Sequence, residues 1–255
     1  MRTIKGKLIA AISTVVVLIM LISSVGSYLI ATSVVNRKVR ELQFGKARET
    51  AEEMNGWLAG QTAWVEENVH TYELKMQQDS YDEIKNYLSA RLASADNAIM
   101  DAYYGFEDHT MLIINSEVGN DYDCCERGWY RQAKEAGGVI VTDPYVDAFT
   151  GKVVVTVAAP MYNEAGEFTG VCGADIMTTE LVSVLDELEK SEGGYGFIVD
   201  SAGNFAAHPN EEFLPGEDRR AAIDEVADGA LSGVAQKLSE GQGVVLSRDY
   251  DGEQK

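Results

Sequence analysis

The sequence predicts an α+β protein in which a membrane-crossing helix and a long amphipathic helix precede two antiparallel-sheet modules. Three observations predict it. Residues 8–31 contain no charged side chain, and about 20 apolar residues cross a bilayer as a helix. Apolar residues then recur with spacings of 3, 4, 3, 4 and 7 from Phe44 through Ala47, Ala51, Met54 and Leu58 to Val65, the seam of a heptad helix. Beyond Leu92 the pattern changes to alternation and short apolar runs between turn residues, as strands require.

The amino terminus sets the compartment. Arg2, Lys5 and Lys7 precede the apolar run and Arg37, Lys38 and Arg40 follow it, so the positive-inside rule alone does not choose an orientation. The run is too long for the ~7–15-residue core of a cleaved signal peptide. An uncleaved anchor is therefore expected, with 1–7 as a cytoplasmic tail, 8–31 as the transmembrane helix and the rest outside the cell membrane. Cleavage would instead leave a freestanding binding protein. Residues 32–70 form the expected signalling helix, and the seam suits pairing with a second copy in a homodimer.

A second helix is predicted over 81–92, with Tyr81, Ile84, Leu88 and Leu92 on one face. Strands follow at 98–106 and 110–116 as a hairpin, then at 139–142, 152–162 and 167–176. Asn163-Glu-Ala-Gly166 marks the last hairpin turn. Helical spacing returns over 178–189. A second hairpin at 196–200 and 203–208, helices at 218–230 and 232–240, and a strand at 244–250 repeat the first half in smaller form. The last strand has no partner after it, so a fragment of a longer protein is expected. Modules at 71–190 and 191–255 result, the second incomplete.

Composition bounds the partners. Of 255 residues, 45% are hydrophobic, enough for a core, and the net charge is −20. Residues 1–40 carry six basic side chains and no acidic one, leaving a net of −26 on the remainder. Such a field repels nucleic acid. Cys124, Cys125 and Cys172 make an odd set without metal-ligand spacing, and free thiols are expected. His70, His109 and His208 are scattered, and no phosphate loop or nucleophile elbow is present. Asp143 with Asp147 as a general acid–base pair is the weak enzymatic alternative. No cofactor, metal or catalysis is expected.

One stretch concentrates chemistry. Arg127, Trp129 and Tyr130, then Tyr145 and Asp147, then Asp175 supply one guanidinium, several rings and two carboxylates. A free amino acid asks for that set: a planar cation for its carboxylate, and anionic oxygens and ring faces for its ammonium. Charge-assisted bonds of about 1.5–3 kcal/mol each, less the cost of immobilisation, leave roughly micromolar binding. The bland alternative is core aromatics and a plain Arg127–Asp147 ion pair.

The runs Arg127-x-Trp-Tyr, Pro144-Tyr-x-Asp-x-x-Thr-Gly and Val171-x-Gly-x-Asp-Ile resemble the double Cache sensor domain of bacterial chemoreceptors, over roughly residues 33–255. They resemble most its amino-acid-binding subgroup, whose motif falls on Tyr122, Arg127, Trp129, Tyr130, Asp147 and Asp175. The resemblance implies two tandem PAS-like modules, with the ligand in the membrane-distal one. It implies that Arg127 and Trp129 hold the ligand carboxylate, that Tyr130, Asp147 and Asp175 hold its ammonium, and that Tyr122 and Tyr145 complete the box. Cys124-Cys125 departs from the pattern. The expected function is the sensor portion of a methyl-accepting chemotaxis protein binding a free amino acid, its cytoplasmic signalling module absent from this chain. The alternatives are the ectodomain of a sensor histidine kinase or diguanylate cyclase, or a sensor of an amine or organic acid.

Overall fold

The structure, a computed structural model, describes residues 4–95, 98–119, 121–188, 195–200, 202–214, 222–229 and 231–239. It divides into two units, 1–49 and 50–255.

The first unit is the leading part of helix α1 (Ile4–Thr71). Large apolar side chains from Leu8 to Phe44 are exposed on every side. A helix that is apolar all round is of the kind buried in a protein core or in lipid, and among the described residues nothing within its own unit covers this one. Among the described helices, α1 is the one long and apolar enough to cross a membrane.

In the second unit the rest of α1 packs inward through Trp57, Leu58, Trp64, Val65 and Val69. Phe44, Ala47 and Ala51, the opening residues of the heptad seam, are exposed. The helix ends in a π turn at Tyr72–Met76. That turn is tied to the sheet, because Glu73 accepts a hydrogen bond from the Tyr162 N–H at 2.9 Å and Gln77 donates to the Tyr162 carbonyl at 3.2 Å. Helix α2 (Tyr81–Ala93) begins with a capping box between Ser80 and Glu83 and buries Ile84 and Leu88.

Six strands form the main sheet: β1 (Ile99–Phe106), β2 (Met111–Ile113), β3 (Ile140–Val141), β4 (Tyr145–Val146), β5 (Val153–Tyr162) and β6 (Phe168–Met177). Their order is β2-β1-β6-β5-β3, with β4 also on β5, and every pairing is antiparallel. Asn163 shapes the β5–β6 turn, its side chain accepting from the Ala165 and Glu167 N–H groups, while Gly166 takes φ 79. Side chains alternate between faces. Ala102, Tyr104, Val155, Val157, Cys172, Ala174 and Ile176 meet α1 and α2 on one face. Tyr103, Ala158 and Val171 meet Cys124, Trp129, Tyr130 and Ala133 on the other. The helix α3 (Gly128–Ala136) that covers this second face, and strand β4, are absent from the sequence expectation.

Helix α4 (Thr178–Leu188) follows the sheet. The second hairpin, β7 (Ile198–Val199) with β8 (Phe205–Ala207), is shorter than expected. The helix expected over 218–230 is not seen in its described part. Asn204 bridges Ala222, the Ile223 N–H donates to the Gly203 carbonyl at 2.9 Å, and only a 3-10 turn forms at Val226–Gly229. Backbone pairing beside β8 replaces helix here, and Ile223 enters a core with Phe205 and Leu231. Helix α5 (Ser232–Ser239) is present. The strand expected at 244–250 lies outside the described residues.

Candidate functional site

The pocket lies on the α3 face of the main sheet, and sheet register builds its floor. Asp175 on β6 stands opposite Thr156 on β5, and Tyr103 on β1 stands opposite Gly173. A Cβ at Gly173 would lie 2.8 Å from Cζ of Tyr103 and nearer still to its ring edge. Only a glycine lets the Tyr103 ring lie across β6, and from there its hydroxyl donates to Oδ1 of Asp175 at 2.7 Å.

Thr156 also donates to Oδ1 of Asp175, at 2.6 Å. Its single proton being used, the 2.7 Å contact between the Tyr145 and Thr156 hydroxyls must run from Tyr145 to Thr156. Both donors address one oxygen of Asp175, Oδ1. Asp175 is 3% exposed. Burial raises its pKa to about 7 against the pull of the two hydroxyls, and the nearby carboxylates of Asp147 and Asp101 raise it further.

Asp147 follows β4 and is buried. Its Oδ2 accepts from the Thr150 N–H at 2.8 Å and the Thr150 hydroxyl at 2.6 Å, closing a turn completed by Gly151 at φ 68. That turn fixes the carboxylate through one of its two oxygens.

Arg127 is the N-cap residue of α3, and no side chain caps that helix. Its guanidinium lies over the Tyr122 ring, 5.1 Å from the centroid, and among the described residues it forms no ion pair with a carboxylate. An Arg–Asp147 salt bridge is therefore not its role in this structure. A half-buried cation beside an uncapped helix amino terminus is a site for an anion. Trp129 is 3% exposed, its ring 4.8 Å from Tyr103 and seated over Gly105, where a Cβ would lie 2.9 Å from Cη2. Tyr122 stacks on Phe149 at 4.6 Å. Burial lifts its hydroxyl to about 12, while Trp129 and Arg127 hold it down.

Six of the seven residues named from sequence thus wall one pocket: Tyr122, Arg127, Trp129, Tyr145, Asp147 and Asp175. Tyr130 does not reach it. Successive residues of a helix point about 100° apart, and Tyr130 packs into the core against Phe168, edge to face at 5.8 Å. Tyr103, Ala148 and Phe149 are walls that the sequence reading missed. The pocket has about 210 Å³ of empty volume counted to its mouth. A wider groove of about 560 Å³, counted in the same way, adjoins it, bounded by Arg127, Trp129 and Tyr145 and by Gln132, Thr142 and Asp143. The Arg127 cation and the Asp147 and Asp175 carboxylates thus line one pocket.

A profile of the Cache domain family matches residues 11–255. Among curated proteins, the chain is 25% identical over 218 residues to the methyl-accepting chemotaxis protein McpB of Bacillus subtilis, covering 82% of this chain and 32% of McpB. It is 35% identical over 116 residues to PscA of Pseudomonas syringae, covering 44% and 18%. The chain thus spans about a third or less of these relatives. Among solved structures, the ligand-binding domain of the Pseudomonas aeruginosa amino-acid chemoreceptor PctC, in complex with GABA, superposes with a TM-score of 0.62 at 25% identity, covering 74% of this chain and 82% of that one. The ligand-binding domain of the Pseudomonas fluorescens chemoreceptor CtaA, with L-serine, superposes at 0.60 with 22% identity, covering 71% and 75%, a likeness of fold.

Proposed function

The chain belongs to the Cache domain family, and from that premise we propose that it is the sensor portion of a membrane chemotaxis receptor, binding a free amino acid in the pocket on the α3 face. Its role is sensing rather than catalysis. The observation that carries this reading is the pairing of an Arg127 guanidinium lacking a carboxylate partner with two buried carboxylates in one small pocket. An amine alone would leave Arg127 unmatched, and an organic acid alone would face Asp147 and Asp175 with no cation between. A zwitterion satisfies both ends. PctC and CtaA, solved with GABA and L-serine, supply two precedents of that chemistry.

In this reading the ligand carboxylate lies between Arg127, Trp129 and the amino end of α3. The ammonium lies against Asp147, Oδ2 of Asp175 and the rings of Tyr122 and Tyr145. An arriving ammonium favours the ionised form of Asp175, reversing the effect of burial. The side chain of the ligand extends to the adjoining groove. In this reading a span at 8–31 lies in the cell membrane, with a ligand-binding module over 71–190 outside it and a second module from 191, and two copies pair through the exposed opening of the seam at Phe44, Ala47 and Ala51. A signal would pass because α1 within the second unit packs on the opposite face of the same sheet. A ligand shifts such an equilibrium only by its difference in affinity between two states, and a clamp complete in one state alone provides that difference.

Isothermal titration of the full chain in detergent with the twenty amino acids tests the site. At least one should bind near micromolar affinity, and Arg127→Ala should weaken it about 10–100-fold, the loss of one charge-assisted pair. Unchanged affinity in that variant would remove the carboxylate assignment.

A further inference from the structure

Outside the pocket, one cluster carries chemistry that the sensor reading does not use. His109 in the β1–β2 turn, and Asp123 and Cys125 in the segment before α3, place one ligand atom each within 4.8 Å of one another. Nδ1 of His109 lies 2.9 Å from both carboxylate oxygens of Asp123. The Cys125 N–H donates to Oδ1 of the same carboxylate at 2.9 Å, and its thiol donates to the Phe106 carbonyl at 3.3 Å. The Cys124 sulfur is 4.0 Å from that of Cys125, and all three cysteines are free thiols.

We propose that His109, Asp123 and Cys125 form a binding site for a borderline-soft divalent transition-metal ion, of which Zn²⁺ is the type. One nitrogen, one oxygen and one sulfur match the donor set that Zn²⁺ accepts, at bond lengths of about 2.0–2.3 Å. Tetrahedral bonds of that length put neighbouring donors roughly 3.3–3.8 Å apart, so small rotamer changes close the cluster on an ion. The fourth position falls to water or to Cys124. As the metal–sulfur bond forms, the Cys125 thiol gives its proton to solvent, and His109 coordinates as neutral imidazole.

Two further observations favour this over a plain surface ion pair. The His109 and Asp123 side chains are 64% and 34% exposed, so the cluster lies open to an ion from solvent, and as a plain ion pair it would add little stability. The Tyr130 hydroxyl is buried without a hydrogen-bond partner. It packs in the same cluster as Cys125, and a thiolate fixed on a metal would give that hydroxyl an acceptor. The sequence offered no metal spacing because the turn of His109 and the segment of Asp123 meet only in the fold. The bound ion would tie this segment, which leads from Tyr122 to Arg127, to the β1–β2 turn. Neither the site nor its test depends on the amino-acid reading.

The test is a Co²⁺ titration of the full chain in detergent, with a non-thiol reductant. The expected result is a thiolate-to-cobalt charge-transfer absorption that saturates at one equivalent and is displaced by Zn²⁺. Cys125→Ser should abolish the band, and His109→Asn, which tolerates the left-handed backbone at that position (φ 69), should weaken affinity at least about tenfold. Should His109→Asn fail to fold, as judged by its melting curve without metal, Asp123→Asn carries the same expectation. Absence of the band in the wild-type chain would overturn the site. A band of equal strength and affinity in the variants would do so too, marking adventitious binding elsewhere.

Discussion

Asp175 receives two hydroxyl hydrogen bonds on one oxygen, from Tyr103 and Thr156, and still carries a pKa near 7 because burial outweighs them. Two consequences follow, of opposite kind. For binding, an ammonium requires the ionised carboxylate. Amino-acid affinity should therefore be constant above about pH 8 and fall as pH is lowered through 7, by at most about tenfold per pH unit, which calorimetry from pH 8 to pH 6 will read. For stability, the native state holds a proton between about pH 4 and 7 that the unfolded chain has released. Stability is thus greatest below the unfolded pKa and declines as pH rises to 7. A shift from 3.8 to about 7 sets that decline at about 4 kcal/mol at most. Asp175→Asn should abolish binding and yet raise the urea midpoint at pH 8, the gain vanishing near pH 4.

At the scale of elements, the pocket depends on residues that contribute no functional group. Gly173 lets the Tyr103 ring cross β6, and Gly105 gives room to Trp129 and Cys124. Gly173→Ala should displace the Tyr103 ring, lower stability by about 1–3 kcal/mol and weaken ligand binding, whereas Gly138→Ala, which meets nothing within 4 Å, should do neither. Tyr103, Thr156 and the glycines were not legible in the sequence because register across three strands assembles them. Six of the seven residues named from sequence line one pocket, and they were legible because each carries its chemistry locally. Even so, Tyr130 was assigned to the wrong surface, since the helix that turns it inward went unseen within Arg127-Gly-Trp-Tyr. The π turn ending α1 is a second such element. Glu73→Ala should remove the acceptor of the Tyr162 N–H, lowering stability by about 1–3 kcal/mol while leaving the pocket's hydrogen bonds in place. Denaturant unfolding beside calorimetry separates the two effects.

For the molecule as a whole, α1, α2, α4 and strands β1, β2, β3, β5 and β6 were readable because period and turn residues are local signals, whereas the short α3 and β4 were not. The smaller second module was read less well, as bridging near Ala222 displaced a helix that local spacing favoured. The exposed apolar surface between Leu8 and Phe44 predicts that the chain sediments with membranes and resists an alkaline wash, and that removing residues 1–35 releases it. The central claim is that one pocket reads both charges of a zwitterion. Its most direct test is calorimetry of the full chain with the tightest-binding amino acid, the amine lacking its carboxylate, and the acid lacking its ammonium. The account predicts that only the complete amino acid binds near micromolar affinity, each truncated ligand losing at least about tenfold. Equal affinity for the amine or for the acid would contradict it.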